Sequence, residues 1–251
     1  MRNIGLQLYT VRHTLAKDFL GTLREVAAIG YRGVEFAGDF GSYAPRALRT
    51  ILDDLGIAAI GGHCLIEQLN GAFERIAETY AILGARYVGL AWVPASYRNE
   101  DGWKCLAAQI NQAALTASRY GLTFFYHNHD FEFDTKSKQR GLDLLVAHTD
   151  PEHVKFELDV YWATYAGEAP IVWLNKLAGR VPLVHLKDMS STPDRTFEIL
   201  GEGIINFEPV FAAGDAAGVV WYVAEQDECP KGELHSARRS YENLARRGWL
   251  G

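Results

Sequence analysis

Three cysteines, two methionines and eight prolines are all that this 251-residue chain holds of those types. Cys64, Cys105 and Cys229 are odd in number and far apart, which argues against a disulfide framework or a cysteine-built zinc knuckle and leaves free thiols. Nowhere do 18 apolar residues run together, as a membrane-spanning helix would need. The opening Met1-Arg2-Asn3-Ile4-Gly5 also lacks the long apolar region and small-residue cleavage site of a signal peptide. The expectation is a soluble, cytoplasmic chain with no membrane partner. Basic runs are missing too, with nothing longer than Arg238-Arg239 or Arg246-Arg247, and 25 Lys plus Arg face 31 Asp plus Glu for a net charge of −6. A nucleic-acid partner would call for a basic stripe, so none is expected. What is abundant is apolar surface, at 48% of residues with 12% aromatic. That suffices for one sizeable core, and residues 1–251 read as a single domain.

The chain repeats one unit: an amphipathic helix, a glycine, a short apolar strand, then a polar residue. Gly30, Gly56, Gly84, Gly121, Gly179 and Gly218 each stand where a helix needs a left-handed residue before the chain turns into a strand. The helices show apolar spacings of three and four, as in Phe19, Leu20, Leu23, Val26 and Ala27, or Ile110, Ala113, Ala114 and Ala117. Such one-sided helices cover a sheet. The strands read as residues 4–8, 33–36, 58–62, 87–91, 122–126, 154–158, 181–186 and 219–224. They are continuous apolar runs, the pattern of parallel strands buried on both faces.

At or near the strand ends stand Gln7, Glu35, His63, Trp92, His127, Asp159, His185 and Glu225. They span 218 residues in seven steps, about 31 per step, which is the length of a minimal βα repeat. Eight such units in about 250 residues predict a (β/α)8 TIM barrel of class α/β. No Gly-x-Gly-x-x-Gly follows the first strand, which disfavours a dinucleotide-binding doubly wound sheet.

A barrel brings these eight residues together at its C-terminal face, where barrel enzymes do their chemistry. His127, Asp159, His185 and Glu225, from strands five to eight, offer two imidazoles and two carboxylates. That set suits one divalent cation, with Mn²⁺, Co²⁺, Zn²⁺ or Mg²⁺ all compatible. Any one of them alone could be a polar cap on a strand. The four together repel one another unless a cation neutralises them.

The run Phe125-Tyr126-His127-Asn128-His129-Asp130-Phe131-Glu132-Phe133, then Glu157-Leu158-Asp159, His185-Leu186-Lys187-Asp188, Gly201-Glu202-Gly203 and Ala224-Glu225 resembles the xylose isomerase-like superfamily of sugar phosphate isomerases and epimerases. The opening Ile4-Gly5-Leu6-Gln7-Leu8-Tyr9-Thr10-Val11-Arg12 is similar to that superfamily's first strand. The resemblance covers the whole chain in order and implies one divalent metal ion held by His127, Asp159, His185 and Glu225. The chain departs from it in one place: ketose epimerases carry Glu where this chain has His127, which breaks a pair of glutamates on opposite faces of the sugar. An alternative alignment puts His129 or Glu132 at that ligand position.

The activity so implied is that of a metal-dependent isomerase or epimerase acting on a ketose or related keto-sugar, with a small-molecule sugar as partner. A carboxylate removes the proton beside a carbonyl polarised by the metal. Glu225 is the first candidate for that base and Glu132 the second; Glu132 or His63 would return the proton on the other face. Elimination needs one face only, so a lyase or dehydratase of a 3-keto-glycoside or keto-inositol is the alternative. A barrel that only binds or assembles, and a homo-oligomer paired near its mouth, stay open. Lys187 reads as a contact to a substrate hydroxyl or an enolate, or as the ion-pair partner of Asp188 or Glu202. Glu35 and His63 read as substrate contacts, and Trp92, Trp162, Tyr126 and Phe131 as the wall for a sugar ring. Asn128 and Asp130 would orient the histidines. Glu202, Asp188, Asp194 and Glu198 make the seventh-strand loop acidic, which predicts an uncharged sugar rather than a phosphate. Endonuclease IV, of the same superfamily, carries additional metal-binding histidines; Trp162 stands where one would fall.

Overall fold

The computed structural model describes residues 1–134 and 139–250. Eight parallel strands close into a barrel: β1 Asn3–Gln7, β2 Gly33–Phe36, β3 Ala58–Cys64, β4 Tyr87–Leu90, β5 Thr123–His127, β6 Val154–Asp159, β7 Leu183–Leu186 and β8 Trp221–Ala224. Each pairs with its sequence neighbours, and β8 pairs with β1 to complete the ring. This is the (β/α)8 barrel that the repeat predicts. The bounds differ by one to two residues. Strands β3, β5 and β6 run on through Cys64, His127 and Asp159, because the polar residues near their ends still belong to the ladder.

Helices Phe19–Ile29, Pro45–Leu55, Phe73–Leu83, Glu100–Arg119, Pro170–Lys176, Phe207–Ala217 and Glu233–Arg246 surround the strands. They bury one stripe each, for example Leu23 with Val26, or Ala77 with Tyr80. Each such large side chain removed from water contributes about 1.5–3 kcal/mol. The six stop glycines all have positive φ, from 67° at Gly56 to 118° at Gly30. At Gly84 a Cβ would also meet the Arg49 guanidinium, which would have to swing aside.

The barrel interior is filled at its lower end by Ile60, Tyr87, Phe125, Leu183 and Val223, with Trp221 against them. Ile60 is the extra residue of a bulge, since Val34 pairs with Ala59 while Glu35 pairs with Gly61. Room for it comes from glycine, as a Cβ on Gly5 would lie 2.2 Å from Ile60 Cδ1. Above this apolar plug the inward positions turn polar, which sets the site at the C-terminal mouth. Among the described residues no helix is long and apolar enough to cross a membrane.

Candidate metal centre and active site

Side chains alternate along a strand, so residues two apart share a face. On β6 this puts Glu157 and Asp159 side by side on the inner face, and past β7 and β8 it adds Lys187 to His185 and Asp227 to Glu225. Two devices of the local chain hold these ends in place. Asn128 bridges β5 to β6: its Oδ1 accepts the Asp159 N–H at 3.0 Å, and its Nδ2 donates to the Asp159 carbonyl at 3.4 Å. After β7 the Asp188 carboxylate accepts the backbone N–H groups of Met189, Gly201, Gly203 and Ile205 at 2.8–3.1 Å. The His-Leu-Lys-Asp and Gly-Glu-Gly motifs are thus two halves of one knot that fixes the strand carrying His185.

Glu157 occupies the centre of the buried cluster. Its Oε2 meets His127 Nδ1 at 3.1 Å and His63 Nε2 at 3.0 Å, and its Oε1 lies 3.1 Å from His185 Nε2. Glu35 sits beside it, with Oε2 accepting from Gln7 Nε2 at 2.7 Å and from His185 Nε2 at 2.6 Å. On the mouth side, His185 Nδ1 donates to Glu225 Oε2 at 2.7 Å. Lys187 Nζ then touches Asp159 Oδ2, Glu225 Oε2 and Asp227 Oδ1 at 3.2, 2.9 and 2.8 Å.

The two buried histidines carry opposite charge states. Burial alone would lower the His185 pKa, but Glu157, Glu225 and Glu35 overcome it and raise it well above the usual range, so both of its nitrogens donate. Burial lowers the His127 pKa to about 3. Neutral His127 gives its one N–H to Glu157 and turns the lone pair of Nε2 toward Asp159 Oδ2, 3.8 Å away. That oxygen and Glu157 Oε1 are buried without a well-formed hydrogen bond among the described residues. An electron-rich gap of this kind fits a cation. Two groups have ligand atoms within 4.8 Å of one another: Asp159, His185 and Glu225, and separately His63, His127, Glu157 and His185.

Of the four residues expected as one ligand set, Asp159, His185 and Glu225 fall in one group and His127 in the other, its Nε2 3.8 Å from Asp159 Oδ2. Glu157 and Asp227 were not among the expected site residues. The period of two was the available signal, because each stands two residues from an expected ligand on the same face. Glu132 lies behind β5, whereas the His129 ring stands beside the centre, 5.2 Å from the His127 ring and 5.4 Å from that of Trp162. The Glu132 carboxylate accepts from Tyr126 Oη at 2.6 Å and from the His129 N–H at 2.8 Å, and neither Glu132 nor His129 is in a metal-capable group among the described residues. Tyr126 is buried with Glu132 and forms no wall of the mouth. Phe131 stacks on His129 and Trp103.

Lys187 pairs with neither Asp188 nor Glu202. Asp188 is consumed by backbone amides, and Glu202 is held outside by Arg239 at 2.7 Å. The acidic-loop argument against phosphate loses its basis for the same reason. Trp162, on the helix Val160–Tyr165 capped by Asp159, presents its ring 5.7 Å from Lys187 Nζ. Trp92 is half exposed at the rim, two residues past β4.

A closed βα barrel whose interior charges converge at the mouth of its strands defines a barrel with a buried, metal-capable acid–histidine centre. The chain belongs to the xylose isomerase-like TIM barrel family, which residues 23–245 match. An inosose dehydratase of Clostridium perfringens is 30% identical over 248 residues, 82% of each chain. One from Clostridium beijerinckii is 32% identical over 150 residues, 52% of this chain. The chain spans about half the length of that relative in the match. A sugar phosphate isomerase/epimerase of Parabacteroides distasonis superposes with a TM-score of 0.85 at 25% identity, both chains covered in full. The IOLI protein crystallised with a zinc atom shares the fold, with a TM-score of 0.78 at 15% identity and 97% of each chain covered.

Proposed function

We propose that the protein is a divalent-metal-dependent carbon–oxygen lyase acting on a keto-polyol or keto-sugar, with isomerase or epimerase action as the second reading. One observation carries the choice. Epimerisation needs an acid–base group on each face of the reacting carbon, and the group at the fifth-strand position is the imidazole of His127, whose Nδ1 is engaged by Glu157 at 3.1 Å, in place of a carboxylate. Glu132 is engaged behind β5 and does not take that place. Glu225, Lys187 and Asp227 then stand together on one side, which is enough for elimination, while His63 across the mouth is held by Glu157 at 3.0 Å. The curated relatives are called dehydratases, in keeping with this.

Asp159, His185, Glu225 and His127 would hold the ion. His185 keeps its Nε2–H on Glu35, yields the Nδ1 proton and so presents that nitrogen, an arrangement in which the outer carboxylate sets the tautomer. When bound, a divalent cation supplies Lewis acidity at the substrate ketone and acidifies the adjacent C–H. Glu225, at the boundary between cluster and mouth, takes that proton. Lys187, whose ammonium is held by three carboxylates, stabilises the negative charge that develops on oxygen. The β-carbon–oxygen bond breaks, and the hydroxyl leaves as water with the proton that Glu225 has taken, while Asp227 holds the Lys187 ammonium at 2.8 Å.

The test is incubation of the metal-loaded enzyme with a keto-inositol in deuterated water, followed by NMR. The reading predicts an unsaturated product one water lighter. A deuterated stereoisomer of the starting ketone, with no elimination, would overturn it in favour of the epimerase.

A further inference from the structure

The charged centre occupies one side of the mouth, where Asp159, Lys187, Glu225 and Asp227 follow β6, β7 and β8. Beside it, over β2 to β4, opens a cavity of about 590 Å³ lined by Ala37–Asp39, His63–Gln68, Ala91 and Trp92. Its volume lies in the range of small-molecule sites. It is continuous with the centre through His63, which lines the cavity and also contacts Glu157 at 3.0 Å. A single sugar ring seated over the Lys187–Glu225 pair leaves this space, on the other side of the mouth, unfilled.

The lining is apolar in a way that a polyol does not need. Leu65 is 64% and Trp92 50% exposed, two of the large apolar side chains most open to solvent, and Cys64, Ile66, Ala37 and Ala91 stand with them. Apolar surface left exposed at a cleft marks a ligand groove. The polar members are few, and two are already engaged in their own loops: Asp39 accepts the Gly41 N–H at 2.9 Å, and Gln68 Oε1 accepts the Leu65 N–H at 2.7 Å. No lysine or arginine lines it, so it offers no counter-charge to a phosphate. The Trp92 ring is braced by Arg98, whose guanidinium lies 5.4 Å from it and is itself tied to the Val93 carbonyl.

Resting on the lyase reading above, we infer that the β2–β4 side of the mouth is a subsite for an uncharged aromatic substituent, so that the substrate is a keto-sugar carrying an aryl aglycone rather than a bare polyol. Elimination accommodates this without any oxidant. The C–H electron pair beside the ketone forms the new double bond, the proton goes to Glu225, the C–O pair departs with the aglycone oxygen, and Glu225 passes that proton on to the oxygen. The products are an unsaturated keto-sugar and a phenol.

Binding of unoxidised, unreactive glycosides tests the subsite separately from the chemistry. Phenyl β-D-glucopyranoside, methyl β-D-glucopyranoside, cellobiose and glucose 6-phosphate are titrated by calorimetry into the metal-loaded protein, wild type beside Trp92→Ala and Leu65→Ser. Both replaced side chains are largely solvent-exposed, so the variants retain the core. The phenyl glucoside should bind at least about tenfold tighter than the methyl glucoside, and each substitution should erase most of that difference. Equal affinities of the two, or no binding of the phenyl glucoside, would overturn the subsite. Tighter binding of cellobiose or of the phosphate would overturn its aromatic character. If the subsite fails while the keto-inositol is still dehydrated, the lyase reading survives; if the aryl preference holds and no elimination occurs, only that reading falls.

Discussion

The two halves of the barrel solve the same packing problem in different ways. Strands β1 to β4 spend inward positions on glycine, and Gly5 and Gly33 both make way for Ile60. Their contribution to the centre is three polar groups, Gln7, Glu35 and His63, and above these their loops are apolar. Strands β5 to β8 carry instead His127, Glu157, Asp159 and His185, with Lys187, Glu225 and Asp227 just beyond. Concentrating carboxylates in one half is tolerable only because His185 and Lys187 are cationic, both held well above their usual pKa by the acids around them. The lesson is that fold symmetry does not imply chemical symmetry: eight equivalent units produce one charged side and one apolar side.

The sharpest way to break this comparison is Glu225→Gln. Removing the base on the charged side should cost about 10²–10⁴-fold in turnover, measured as product formation at saturating metal. A loss under threefold would move the base elsewhere. Next in size is Glu157→Gln, which leaves three histidines facing a neutral group. Metal affinity should fall about 10–100-fold, by titration with Mn²⁺ and elemental analysis of the dialysed protein. Glu35→Gln should do the same through His185 alone and by less, because His127 keeps its partner. Acidity should act in the same direction. His185 must yield a proton to receive the ion, so apparent affinity should rise about tenfold per pH unit until its raised pKa is passed. A flat profile between pH 6 and 8 would exclude His185 as a ligand.

The fold was legible because the helix stop, the apolar run and the strand-end polar residue recur with a nearly constant period, and the barrel closes as that repeat requires. The site was legible in part. His127, Asp159, His185 and Glu225 stand at strand ends, and the ends meet. Glu157 escaped because it lies inside an apolar run, where a carboxylate reads as part of the strand until the pleat is counted. The partners of Lys187 escaped for another reason. Asp188 is its chain neighbour and so points to the other face, whereas Asp159 and Asp227 are distant in sequence and adjacent only through the closed ladder. Glu132 was misread by proximity: it follows His127 by five residues, yet the turn Phe131–Phe133 carries it behind β5.

Glu132 also supplies the smallest and most easily isolated test, a buried acid set against the buried acids of the centre. Of those, Glu225 and Glu157 are held well below the usual carboxylate range by Lys187 and the histidines around them, whereas Glu132 has only the Tyr126 hydroxyl and the His129 N–H. Burial therefore dominates and pushes it up to about 8 from the ordinary 4.5. The fold favours the protonated form, so the stability it contributes is complete below pH 4.5 and is lost as pH rises toward 8, by at most about 1.4 kcal/mol per pH unit. Glu132→Gln cannot ionise. Its own cost, from pairing an amide with the His129 N–H, is independent of pH, so urea midpoints of wild type and variant should converge as pH rises from 5 to 8. Parallel midpoints across that range would mean that Glu132 is ionised in the fold, and the contrast between a solvated-by-charge centre and a neutral acid behind β5 would be wrong.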